Sequence, residues 1–135
     1  MSAPFNFELV SPEKLLFSKA VVMVTVPGSK GEYGVLAGHA PMITEIKPGV
    51  IKICEENDSV VTSKLFVAGG FAEVTQTRFT VLAGEVIPVS ELDIVALNAQ
   101  AKELASKIAA AANDADRDAL LAQQAIIAAK IQAAA

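Results

Sequence analysis

The chain changes character at Pro88. All six prolines, all eight glycines and every aromatic residue lie at or before that position. From Val89 to Ala135 there is none of the three. Glycine and proline punctuate a chain into turns, whereas alanine and straight-chain residues favour helix. A single fold type cannot satisfy both halves, so we expect two domains, over 1–88 and 89–135.

The first part reads as short strands. Phe5, Phe7 and Leu9 alternate with Asn6 and Glu8, which puts the apolar set on one face of a half-buried strand. Val21 to Val26 is a β-branched run that stops at Pro27-Gly28, and Val50 to Cys54 stops at the polar turn Glu55-Glu56-Asn57-Asp58. Val60 to Val67 and Phe71 to Thr75 flank Ala68-Gly69-Gly70, which reads as a tight turn. Arg78 to Leu82 and Glu85 to Pro88 flank Ala83-Gly84. Closely spaced strands of this kind suggest an antiparallel sandwich or flattened barrel. Hydrophobic residues make up 53% of the chain, much of it alanine near the C-terminus, so the first part must supply the core.

The second part reads as two helices. Ser90 with Asp93 three residues on looks like an N-cap. Ile94, Leu97, Ala101, Leu104, Ile108 and Ala111 then recur at spacings of three and four, an apolar stripe along one face. Asn113-Asp114 interrupts it and can cap a second helix, with Asp116 and Asp118 in the first turn, where the helix dipole favours negative charge. Leu120, Ile127 and Ile131 give that helix a thinner stripe. So short a link makes an antiparallel hairpin.

Charge excludes several partner classes. The formal net charge is -4 and the pI about 4.9, so the chain lacks the basic face that nucleic acid or an anionic membrane would need. No apolar run approaches the ~20 residues that span a bilayer, so membrane association must be indirect. The lone cysteine, Cys54, has no internal disulfide partner and points to a reducing compartment. Met1 to Phe7 carries no basic stretch and no long apolar run, so no secretory leader is expected in it.

Chemistry-bearing residues are sparse. His39 is the only histidine, and no G-x-S-x-G elbow presents a serine to it. Cys54 sits in an apolar strand, where cysteine behaves as a small hydrophobe, and no second thiol or imidazole gives metal-ligand spacing. Glu55, Glu56 and Asp58 fit a solvated turn better than a calcium loop. Gly28-Ser29-Lys30-Gly31-Glu32-Tyr33-Gly34 lacks the Gly-Lys-Ser/Thr ending of a phosphate loop and precedes no helix, so a strand-joining loop is expected. We expect no catalytic residue, no cofactor and no metal.

Gly31-Glu32-Tyr33-Gly34-Val35-Leu36-Ala37-Gly38-His39-Ala40-Pro41, followed by Ile46-Lys47-Pro48-Gly49, resembles the signature loop of the epsilon subunits of bacterial F-type ATP synthases. Val10 to Phe17 resembles that family's opening strand pair, and Val67 to Val74 its central glycine hairpin. Val81-Leu82-Ala83 and the helix start at Leu92-Asp93 follow in family order, so the resemblance runs over essentially the whole chain.

The resemblance implies an N-terminal antiparallel β-sandwich of roughly ten strands followed by a C-terminal antiparallel α-helical hairpin. It implies a non-catalytic subunit of the central stalk in a proton-translocating enzyme, peripheral on the cytoplasmic face of the bacterial inner membrane. The sandwich would bind the gamma subunit and the c-ring, coupling their rotation. The hairpin would dock, or extend toward the alpha and beta subunits and restrain ATP hydrolysis. By the same resemblance Gly31, Glu32 and Tyr33 face the c-ring, with Glu32 exposed on a loop tip, and Ser11, His39 and Thr44 lie near gamma.

Two departures from the family pattern refine these expectations. Some members bind ATP through Leu/Ile-Asp-x-x-Arg-Ala; here Leu92-Asp93-Ile94-Val95-Ala96-Leu97 places Ala96 where the arginine stands, so no tight ATP binding is expected. Inhibitory members carry several basic residues on the second helix. This chain has only Arg117 and Lys130 from Asp114 onward, so weak attraction to an acidic partner is expected. Two other readings are a stand-alone β-sandwich module that dimerises through its helices, and a small hydrolase using His39.

Overall fold

The structure is a computed structural model, and it describes residues 3–38 and 40–134. It divides into two compact units, Met1–Pro88 and Val89–Ala135.

The first unit holds ten strands: β1 Phe5–Val10, β2 Leu15–Val21, β3 Met23–Gly28, β4 Gly31–Val35, β5 Met42–Ile46, β6 Gly49–Cys54, β7 Ser63–Val67, β8 Gly70–Val74, β9 Arg78–Ala83 and β10 Val86–Pro88. They form one sheet in the order β10-β7-β6-β3-β5-β8-β9-β1-β2, with β4 added to β3. The half from β10 to β4 meets the half from β5 to β2 through one residue pair, Gly28 with Ile46. Folded over each other, the halves make a mostly antiparallel sandwich.

Alternation produces the core. Phe5, Phe7 and Leu9 of β1 are buried while Asn6 is exposed. Their faces meet Val24, Val26, Ile51, Ile53 and Val67 from the other half. The Phe7 ring lies 5.6 Å from that of Phe17 and 5.5 Å from that of Phe79. Both are tilted contacts of the kind that aromatic quadrupoles favour. Each such buried side chain contributes about 1.5–3 kcal/mol. Among the described residues no polar or charged residue is buried.

The sandwich is mostly antiparallel as expected, and several details differ from the sequence reading. One pairing is parallel: β1 runs alongside β9, with Phe7 opposite Phe79 and Leu9 opposite Val81. The Val21 to Val26 run is not one strand. Val21 ends β2 opposite Phe5, Val22 donates its N–H to the Cys54 carbonyl at 2.9 Å, and Met23 starts β3 opposite Cys54. The chain changes sheet halves at Val22. The strand placed over Val60 to Val67 begins only at Ser63; Val60 and Val61 are exposed. Ala68-Gly69-Gly70 is not a hairpin, because β7 pairs with β6 and β10 whereas β8 pairs with β5 and β9. It too is a crossing, as is the Ala83-Gly84 link from β9 to β10. Glycine is needed here for backbone approach. A Cβ on Gly70 would lie 1.9 Å from the Leu82 carbonyl oxygen, at φ +153°.

The second unit begins with a one-turn 3-10 segment, Val89–Glu91, then α1 Ile94–Ala109 and α2 Asp114–Ala134. Ser90 lies inside the 3-10 turn, and Asp93 is the N-cap. Its Oδ1 accepts from the N–H groups of Val95 at 3.0 Å and Ala96 at 3.3 Å. Aspartate caps as well as serine, and Asp93 immediately precedes the first helical residue. Asn113 caps α2, its Oδ1 accepting from Asp116 N–H at 2.8 Å. The two helices pack against each other, and α2 also meets the 3-10 segment that precedes α1, so it runs back along α1. In the stripe on α1, Leu97 and Leu104 are buried; α2 has no fully buried residue. Alanine-rich faces bury little area each, which fits a lightly packed hairpin.

Candidate functional site: one end and one face of the sandwich

Strand register gathers most of the expected site residues at one end of the first unit. Gly28 is opposite Gly31 across the β3–β4 turn and opposite Ile46 of β5. Ile46 is opposite Gly70, and Gly70 opposite Ala83. Val10 pairs with Leu82, so Ser11 follows at the same level. Ser11, Gly31 and the Ile46 end of β5 therefore share one rim, with Glu32, Tyr33 and Thr44 one or two residues inward.

Each position has a local cause. Ser11 opens the β1–β2 turn: its N–H donates to the Lys14 carbonyl at 2.9 Å, and Lys14 N–H donates back to its Oγ at 3.3 Å. Gly31 has φ +121° with open space where a Cβ would stand, so conformation and not crowding asks for glycine there. The glycine-rich segment is thus a strand-joining hairpin whose tip is Ser29-Lys30. Glu32 is not on that tip. It lies on β4 opposite Pro27, its side chain 54% exposed, with Oε2 3.4 Å from Lys52 Nζ. Tyr33 and Thr44 are half-buried and joined by a hydrogen bond between their hydroxyls.

His39 lies outside the described residues. Its neighbour Gly38 donates its N–H to the Gln76 carbonyl at 3.3 Å. Gln76 belongs to the β8–β9 turn, at the end of these strands opposite to the Ser11 rim.

Sequence reasoning missed a second feature. Ile43, Phe71 and Leu82 stand on the outer face of β5, β8 and β9, exposed by 72%, 57% and 53%. With Ala72, Glu73 and Thr80 they line a shallow groove of about 230 Å³. Its signal was present: Phe71 alternates with buried Ala72 and Val74, so an aromatic ring stands on the outer face of β8. An exposed apolar cluster on a sheet face marks a contact surface.

Among the described residues two titratable groups are shifted from their ordinary values. Burial first, and the Asp58 carboxylate second, push the Cys54 thiol above its ordinary value, so it is a protonated hydrophobe at neutral pH. Hydrogen bonds from Lys19 and Thr62 hold the Glu55 carboxyl below its ordinary range, against a smaller desolvation effect. Among the described residues no three His, Cys, Asp or Glu side chains converge as metal ligands would. No helix of the described residues is long and apolar enough to cross a membrane.

Residues 4–89 match the family described as ATP synthase, Delta/Epsilon chain, beta-sandwich domain. The chain belongs to the ATP synthase delta/epsilon family. An ATP synthase epsilon chain of Paramagnetospirillum magneticum is 50% identical over 135 residues, all of this chain and 98% of that protein. One from Rhodospirillum centenum is 50% identical over 123 residues, 89% of this chain and 84% of that protein. Among solved structures, a chain of the Euglena gracilis mitochondrial ATP synthase (OSCP/F1/c-ring) superposes with a TM-score of 0.82 at 24% identity, covering 96% of this chain and 80% of that one. That likeness is one of fold.

Family membership gives the departures on the helices a structural setting. Asp93, at the place the resemblance gives the motif aspartate, already offers one oxygen to two helix N–H groups. Arg117, near the start of α2, donates to Asp114 Oδ1 at 3.2 Å.

Proposed function

We propose that this chain is a non-catalytic rotor subunit of a bacterial F-type ATP synthase, coupling c-ring rotation to the gamma subunit. Membership of the delta/epsilon family carries the reading. A part that passes torque between two neighbours needs a stiff body. The sandwich supplies the body. Gly31, Glu32 and Tyr33 offer the c-ring a turn and an exposed carboxylate, which suits a basic loop. Ser11, Thr44 and the loop bearing His39 face gamma. The groove at Ile43, Phe71 and Leu82 adds apolar area to that contact.

The unit over 89–135 has a docking and regulatory role. In an extended form it reaches the alpha and beta subunits. With Arg117 and Lys130 as its only cations on α2, it restrains hydrolysis weakly, and it binds no ATP tightly. The subunit works at the cytoplasmic face of the inner membrane and meets the bilayer only through the c-ring.

Co-purification from membranes tests this. A tagged chain brings alpha, beta, gamma and the c-ring with it; recovery of the chain alone or as a dimer refutes it.

A further inference from the structure

Among the described residues, β4 is paired on one side only, by β3. It is also the strand that the proposed reading places against the c-ring. A load applied to such an edge hairpin bends it away from the sheet, because two-stranded ribbons are weak alone. Something must tie β4 to the rest of the body.

Tyr33 spans that gap. Its ring lies against Gly28, where a Cβ would come within 2.8 Å of Cε1, so the ring occupies the space that glycine leaves on β3. It also packs on the buried core. Its hydroxyl then reaches Thr44 on β5, a strand of the other sheet half. Gly28 is the same residue that joins the halves through Ile46. Tyr33 therefore crosses the corner at which the sandwich closes.

We propose that the Tyr33–Thr44 hydrogen bond is a strut that carries load from the c-ring-facing strand to the gamma-facing strand. This rests on the rotor reading above, and makes Tyr33 and Thr44 positioning residues for coupling. The bond is half-buried, so water competes with it less than at the surface, and one end sits in each contact set. Deleting either hydroxyl leaves both strands in place and unties them.

The test is a cycle of Tyr33→Phe, Thr44→Val and the double variant, with Thr44→Ser as the conservative replacement. In the full chain alone, either deletion speeds amide exchange on β4 about fivefold, the factor that one net hydrogen bond is worth. The double variant adds nothing further. In the assembled enzyme in vesicles, protons pumped per ATP hydrolysed fall in both single variants and equally in the double. Thr44→Ser recovers the ratio relative to Thr44→Val. Additive exchange effects overturn the strut, with or without partners present. An unchanged pumping ratio with the variant chains retained in the complex overturns its role in load. If the wild-type chain is not retained with gamma and the c-ring, the rotor reading fails, and the load role with it. The exchange cycle, read on the chain alone, separates the two failures.

Discussion

Glu32 and Lys52 face each other diagonally across β3, with carboxylate oxygen and ammonium nitrogen 3.4 Å apart. The acidic residue proposed to meet the c-ring thus already has a cation within reach. Both side chains are partly open to solvent, and such pairs contribute about 0–1 kcal/mol. The carboxylate can therefore exchange Lys52 for a partner's cation at little cost. Glu32→Gln is expected to leave stability within about 1 kcal/mol of wild type while weakening c-ring retention, most clearly at low salt. Lys52→Ala, which frees the carboxylate, is expected to retain the c-ring at least as well. Sedimentation of the chain with purified c-rings across a salt series reads both.

Among the glycines, Gly70 has the least room for a side chain. Its φ of +153° and the Leu82 carbonyl beside it leave no room for a methyl group. Strain of about 1–3 kcal/mol and overpacking of about 1–3 kcal/mol make Gly70→Ala cost roughly 2–6 kcal/mol. Urea unfolding of the full chain reads it. Gly84→Ala serves as control, because a Cβ at that position would meet nothing within 4 Å.

Acid stability should depend on Glu55. Its folded value is held below the ordinary glutamate value of about 4.3 by Lys19 and Thr62. The contribution is therefore present above that value and is lost as pH falls through the folded one. Stability measured by denaturant between about pH 5 and pH 2 should fall more steeply in wild type than in Glu55→Gln.

Asp93→Ala removes the cap of α1 and is expected to cost about 1 kcal/mol, with Asp93→Asn costing less. Helical ellipticity on heating reads the loss. The same Asp93→Ala variant and wild type should both show no micromolar ATP binding by calorimetry.

Most of the fold was legible because alternation and helical periodicity report burial directly. Phe5, Phe7 and Leu9 declared their face, and Leu97 and Leu104 declared theirs. Topology was less so. Val21 and Val22 look alike in sequence, yet one pairs in each sheet half, since β-branching favours strand without naming a neighbour. Gly69 and Gly70 announced a need for unusual backbone, but a hairpin and a crossing make the same request. The parallel pairing of β1 with β9 left no local trace, because it joins residues far apart in the chain. At the site, Gly31, Glu32 and Tyr33 came from resemblance. The Tyr33–Thr44 bond came from register, which places β4 and β5 around one corner. The groove at Ile43, Phe71 and Leu82 was overlooked because each residue alone passes for core.

Adding the chain back to membranes whose ATP synthase has been stripped of it tests coupling itself. The account predicts that ATP hydrolysis drives no proton uptake without the chain and that uptake returns on adding one chain per complex. Uptake that is the same with and without the chain would contradict it.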